Sequence, residues 1–231
     1  MPTEFERIDG EYARFGVAFL RRNGILLAIL FFGVLLPLTG FGMLVHELGE
    51  GEGFFFDAPL LQRAHALQSV GLDRFFVALS ALGYQYGVLP FDIALIVVFA
   101  WRRRAHEGLF AGISIVGSAL LNVGAKALFA RERPGLWESI APASNFSFPS
   151  GHAMGSMTLA CVLVLLCWPT RARWPVLVAA ALFVALVGLS RVYLGVHYPS
   201  DIVAGWMAAL AWTVAVYAVV FGSRHSSRSG I

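Results

Sequence analysis

Three short stretches of this chain combine cations, histidines and an acid at spacings suited to chemistry at phosphorus. The first is KALFARERP, in which Lys126 is followed after six residues by Arg133 and Pro134. The second is PSGH, residues 149–152, and the third is SRVYLGVHYPSD, which holds Ser190, Arg191, His197 and Asp201. A phosphoryl group in transfer spreads negative charge over three equatorial oxygens. Lys126, Arg133 and Arg191 are suited to neutralise that charge, and arginine's planar fork meets two oxygens at once. Ser150, Gly151 and His152 stand where a long apolar run begins, so they are expected to open a helix. The first N–H groups of a helix lack intrahelical partners and form an anion site, and glycine lets an anion approach the backbone closely. Ser150 is expected to cap that helix as well.

The two histidines divide the remaining work. His197 precedes Asp201 by four residues across Pro199, a proline position that suits the first turn of a helix. A carboxylate accepting the Nδ1 proton would leave Nε2 unprotonated and free to attack phosphorus. His152 would then give a proton to the leaving oxygen and take one from the water that follows. The reverse assignment is weaker, because no acid follows His152 at a comparable spacing.

The elements that must position these residues are membrane helices. The chain has 231 residues, 58% of them hydrophobic and 13% charged, with mean hydropathy +0.72. That is more apolar surface than a water-soluble domain of this length can bury. The pI near 9.1 does not argue for nucleic acid, since the basic residues fall in short clusters between apolar runs, as topology signals do. Spans are expected at Gly24–Val45, Gly87–Trp101, Gly108–Ala130, Gly151–Trp168, Pro175–Tyr193 and Ile202–Phe221, about six stretches of roughly the length that crosses a hydrocarbon core. The first lacks a cleavage site and is read as an anchor. Phe15–Leu20 is expected to lie on the inner leaflet. The segment Glu47–Asp73, with Leu60, Leu61, Ala64 and Leu67 at helical spacing, is expected to form an amphipathic helix on the outer surface. Gly71–Leu82 is apolar but short. Arg21–Arg22, Arg102–Arg104, Arg171 with Arg173, and Arg224 with Arg228 share one side if six spans alternate. That places both termini in the cytoplasm, with loops 131–150 and 194–201 outside. The fold class is thus all-α, one membrane-embedded domain over 1–231 with its motif core at 126–201, in the inner membrane.

K-x6-R-P, P-S-G-H and S-R-x5-H-x3-D, intact and in order, resemble the signature of the type 2 phosphatidic acid phosphatase superfamily. The resemblance implies phosphate binding by Lys126, Arg133, Ser150, Gly151 and Arg191. It implies His152 as the acid, His197 as the nucleophile and Asp201 as its partner, with no metal and no cofactor. The substrate it implies is a lipid phosphate or diphosphate: undecaprenyl diphosphate, phosphatidylglycerol phosphate, phosphatidic acid or lipid A 1-phosphate. The small size, without an added soluble domain, puts undecaprenyl diphosphate or a broad range first. Competing readings are a lipid phosphotransferase and a lipid transporter that keeps the pocket without turnover. The apolar spans argue against the soluble haloperoxidases that share these motifs.

Several residues receive plainer readings. Taken alone, Lys126 or Arg191 would be a cation snorkelling from a helix end. His46, His65, His106 and His225 are isolated. Cys161 and Cys167, six helical residues or roughly 9 Å apart, cannot form a disulfide. Asp92 is expected to hydrogen-bond a neighbouring helix rather than relay protons, since a bare acid in a span is costly. Asn122, one turn before Lys126, fits either orienting that lysine or bonding another helix. Arg131 is a further base of open role. Trp137, Phe146, Phe148, Tyr193 and Tyr198 are expected mainly as an interfacial aromatic belt.

Overall fold

A computed structural model of the chain describes Arg21 and residues 23–51, 53–142 and 144–226. The expected interfacial helix Phe15–Leu20, Arg22 and Arg228 of the basic clusters, and the end of the tail Ser223–Ile231 lie outside the described residues. Among these residues the regular structure is entirely helical: α1 (Asn23–Gly49), then α2 (Asp57–Ala66), α3 (Val70–Leu82), α4 (Val88–Trp101), α5 (Ala105–Phe129), α6 (Gly151–Cys167), α7 (Arg173–Tyr193) and α8 (Pro199–Ser226).

Four of these, α1, α5, α7 and the stretch Pro199–Gly222 of α8, are long and apolar enough to cross a bilayer. Helices α4 and α6 are apolar but shorter, at about 21 and 26 Å by helical rise. The outward surfaces carry Ile25, Phe32, Leu120, Leu128, Val178 and Val219, as expected where lipid is the solvent. In α1 the turn Phe31–Leu35 widens to a π-helix just ahead of Pro37, which lacks the N–H that would bond the carbonyl of Gly33.

The segment after α1 differs from the expected amphipathic helix. Only Asp57–Ala66 forms one helix there, and of its apolar stripe Leu61 is fully buried while Leu60 and Leu67 are exposed. The chain breaks before Val70, where the Ser69 side chain caps α3 by accepting from Leu72 N. Helix α2 instead packs on α7 and α8, with Asp57 turned inward.

Helices α6 and α8 form the middle of the bundle. The first packs on α5, α7 and α8, the second on α1, α5 and α6. An apolar cluster of Phe99, Phe110, Ala111, Val162 and Val216 fills the end where α5 begins. The end where α5 finishes is polar, holding Lys126, Ser150, His197, Ser200 and Asp201, all buried. Helix α8 comes close to the start of α6 at Gly205, where an added Cβ would stand 2.9 Å from the Ser150 carbonyl oxygen and 3.0 Å from Ala153 Cβ. Gly205→Val is therefore expected to destabilise the bundle by about 1–3 kcal/mol and to reduce turnover as well. Thermal unfolding in detergent checks the first effect; an unchanged midpoint would contradict the close packing.

Candidate active site

The site is assembled from the α5–α6 loop, the first turn of α6, the α7–α8 turn and the first turn of α8. Pro199 opens α8, which puts Asp201 in its first turn, four residues after His197. His197 Nδ1 lies 3.3 Å from Asp201 Oδ2. On the other side of the ring, Arg133 Nη1 lies 3.2 Å from Nε2. A guanidinium has donors only, so Nε2 is the acceptor and the ring proton sits on Nδ1, toward the carboxylate. His197 is 2% exposed. Burial is the chief reason that its pKa falls from 6.5 to about 4; Asp201 opposes that fall, and the charges of Arg133 and Arg191 add to it. The imidazole is thus neutral across the physiological range.

Both carboxylate oxygens of Asp201 accept hydrogen bonds. Oδ2 also accepts from Tyr198 N at 2.9 Å and from the Ser147 hydroxyl. Oδ1 accepts from Arg131 Nη1 at 2.6 Å. The backbone carbonyl of Asp201 receives Ser150 N at 3.1 Å, so the start of α6 is tied directly to the start of α8.

The cations converge on the same rim. Lys126 donates to the Phe146 carbonyl, and Arg133 Nη2 approaches that oxygen at 3.5 Å. Arg133 also donates through Nε to Asn145 O at 2.6 Å and to the Asn145 side chain. Arg191 donates to the Ser80 hydroxyl, its Nε is buried without a partner among the described residues, and its carbonyl accepts His197 N at 3.3 Å. The His152 imidazole lies within electrostatic reach of Arg191, His197 and Arg133 and packs on Tyr84 with ring centroids 5.1 Å apart. All eight residues singled out by the motifs therefore meet in one region. Ser150 occupies the N-cap position of α6 as expected, but its side chain makes no capping bond. Its Oγ is buried and has no hydrogen-bond partner among the described residues, which corrects the capping role.

Other expectations need revision. In place of the expected bond to a neighbouring helix, Asp92 Oδ1 is buried with no hydrogen-bond partner among the described residues. Of the two readings of Asn122, the bond to another helix is the one observed: it donates to Pro149 O at 3.1 Å and to Met154 Sδ at 3.2 Å, which joins α5 to α6 and the PSGH turn. Phe148 and Tyr193 are buried rather than part of a belt: Phe148 packs between Phe41 and Phe129, and Tyr193 donates to Asp73 at 2.7 Å. His65 stacks on Trp137 at 4.1 Å and helps hold the α5–α6 loop, as does Ser139, which donates to Leu194 O at 2.6 Å.

Sequence reasoning missed Asp57. Arg131 bridges the Asp57 and Asp201 carboxylates, at 2.9 and 2.6 Å, and lies 4.0 Å from the centre of the Tyr198 ring. Ser200 completes the cluster: its N and Oγ donate to Asp57 at 2.9 and 2.6 Å, and its Oγ accepts from Arg131 at 2.8 Å. The extra base in RERP was the only local signal, and it did not reveal its partner.

A helical bundle with an apolar exterior, holding a buried histidine–carboxylate pair ringed by cations, defines a class of membrane-embedded proteins. Residues 107–225 match the sequence model of the PAP2 superfamily, and the chain belongs to that superfamily. It is 30% identical over 167 residues to an undecaprenyl-diphosphatase of Sulfolobus acidocaldarius, covering 69% of this chain and 76% of the relative. It is 36% identical over 171 residues to a decaprenylphosphoryl-5-phosphoribose phosphatase of Mycobacterium tuberculosis, covering 71% and 91%. The crystal structure of a transmembrane PAP2 type phosphatidylglycerolphosphate phosphatase from Bacillus subtilis shares the fold, with a TM-score of 0.71 and 24% identity over 81% of this chain and 96% of that one.

Removing the bridging guanidinium would leave two buried carboxylates facing each other. Arg131→Met is expected to destabilise the protein by about 3–5 kcal/mol and to lower kcat more than it changes KM. Unfolding midpoints and initial rates check this; wild-type values for both would show that the bridge does not position Asp201.

Proposed function

We propose that this protein hydrolyses a lipid phosphate or diphosphate without a metal, through a phosphohistidine at His197, at the extracytoplasmic face of the membrane. Membership of the superfamily and the phosphatase names of its relatives make it a lipid phosphate hydrolase. The observation that carries the mechanism is the His197 ring, held at Nδ1 by Asp201 and met at Nε2 by Arg133. An unprotonated nitrogen beside a phosphate-binding cation is what a nucleophile for phosphorus requires.

The steps follow from this arrangement. Lys126, Arg133, Arg191 and the free N–H groups at the start of α6 hold the phosphate, and the unpartnered Ser150 Oγ and Arg191 Nε add two further donors. The Nε2 lone pair of His197 attacks phosphorus as the ester bond to the leaving oxygen breaks. His152 donates a proton to that oxygen. Water then gives a proton to His152 and attacks phosphorus, and the P–N bond breaks to release phosphate and neutral His197. Asp201 stabilises the cationic ring between the two steps.

The apolar outer surface favours a substrate whose tail remains among lipids while its phosphate reaches the rim. Undecaprenyl diphosphate, phosphatidylglycerol phosphate and phosphatidic acid fit this description, and lipid A 1-phosphate is a fourth. About six spans, with α4 and α6 crossing as short helices, would place both termini in the cytoplasm and the site outside, following the basic clusters. Transfer to an acceptor other than water would appear as acceptor-dependent product.

The purified protein is expected to release phosphate from lipid phosphates in excess chelator and to be inhibited by vanadate, whereas His197→Ala and Asp201→Ala should lose nearly all turnover. Strict divalent-metal dependence, or full activity in His197→Ala, would overturn the mechanism. Because protonated His197 cannot attack, kcat/KM should rise with pH through about 4, below the ordinary histidine range. A pH profile whose acid limb falls near 6.5 would contradict the buried, cation-flanked environment.

A further inference from the structure

Arg191, one of the three cations of the site, is buried. Among the described residues the one hydrogen-bond partner of its guanidinium is the hydroxyl of Ser80. Ser80 is buried too, in the last turn of α3. It lies outside the motif core and outside residues 107–225, which match the family model. The contact joins side chains 111 residues apart.

The chemical type of this partner matters. Arg131, also in the site, is paired with the carboxylates of Asp57 and Asp201. A carboxylate on Arg191 would compete with a phosphate for the same charge. A serine hydroxyl instead fixes one N–H of the guanidinium and leaves its positive charge in place. A buried cation lacking a counter-charge is unfavourable, and an entering phosphate removes that cost.

The last turn of α3 is well placed to hold this contact. An added Cβ at Gly83 would stand 2.7 Å from Val187, one turn before Arg191 on α7, so the two helices meet closely there. The backbone of Ser80 is hydrogen-bonded to the His152 ring; its carbonyl is one of the last four of α3, which lack partners within the helix. Tyr84 packs on the same ring. The end of α3 thus touches both Arg191 and His152.

We propose that Ser80 is a positioning residue for the phosphatase reaction, whose hydroxyl holds the Arg191 guanidinium in place for the phosphate without neutralising it. This rests on the phosphatase reading above and adds a residue that the three motifs do not contain. Ser80 does not touch phosphorus; it acts through Arg191.

The test is a double-mutant cycle on the full-length protein in mixed micelles, with phosphatidic acid as substrate and vanadate as the phosphate mimic. Ser80→Ala is expected to lower kcat about tenfold or more while changing KM less than about threefold. It should raise the vanadate inhibition constant by a comparable factor. Ser80→Thr, which keeps an acceptor hydroxyl, should retain most of the activity. Beside Arg191→Met, Ser80→Ala should change kcat/KM by less than about twofold, because its effect runs through Arg191. An undiminished kcat in Ser80→Ala would overturn the proposal. A loss that persists in full beside Arg191→Met would also overturn it, by making Ser80 a packing residue. Should Ser80→Ala fail to fold, Ser80→Cys, close in volume but only a weak acceptor, takes its place with the same expectations. Should Arg191→Met turn over too slowly to measure, the rise in unfolding midpoint caused by vanadate replaces the rate in the cycle. That rise also separates the two readings. A folded wild type that hydrolyses no lipid phosphate removes the phosphatase reading, whereas equal protection of wild type and Ser80→Ala by vanadate removes the role of Ser80.

Discussion

A single carboxylate organises the polar end of this bundle. Asp201 is fully buried, and a buried carboxylate persists only if its lone pairs are satisfied. The donors come from separate parts of the chain: Arg131 and Ser147 from the α5–α6 loop, and His197 and Tyr198 from the α7–α8 turn. Satisfying the charge therefore requires that the loop and the turn stand in one arrangement. The same arrangement fixes the proton of His197 on Nδ1 and points Nε2 at Arg133. The group that costs most to bury is the one that orients the chemistry.

Arg131 extends this constraint to the segment after the first membrane helix. By bridging Asp201 to Asp57 it ties α2 to the first turn of α8, with Ser200 bonded to both Arg131 and Asp57. Two acids and one guanidinium form a nearly closed network, in which each charge is held by hydrogen bonds as well as by an opposite charge. This also explains why α2 departs from an amphipathic surface helix: Asp57 in its first turn must face inward to reach Arg131.

The bundle separates its two tasks along its length. Phe99, Phe110, Val162 and Val216 make an apolar end that supplies packing, while the other end carries nearly all the buried charge. Close approach of helices is achieved with glycine, as at Gly205 against Ser150 and at Gly188, where an added Cβ would meet Trp206. In lipid, where apolar burial contributes little between helices, such close packing and interhelical hydrogen bonds hold the bundle together. Rigid placement of α6 against α8 follows, and the proposed phosphate cradle depends on it.

The amino-acid sequence alone determined the helical membrane class, the helix starts at Gly151 and Pro199, and the eight motif residues, because each rests on a short-range pattern: hydropathy over one span, a turn signal, or a spacing within a few residues. The separation between His197 and Asp201 is of this kind, since four residues at a helix start bring two side chains together whatever surrounds them. Only the tertiary structure could decide that Arg131 joins Asp57, 74 residues away, that Arg191 meets Ser80 across 111 residues, that Phe148 and Tyr193 turn inward, and that Asp92 Oδ1 has no partner among the described residues. A side chain's identity shows which bonds it can make. Which groups come within reach is set by how helices distant along the chain pack, and no local pattern encodes that distance.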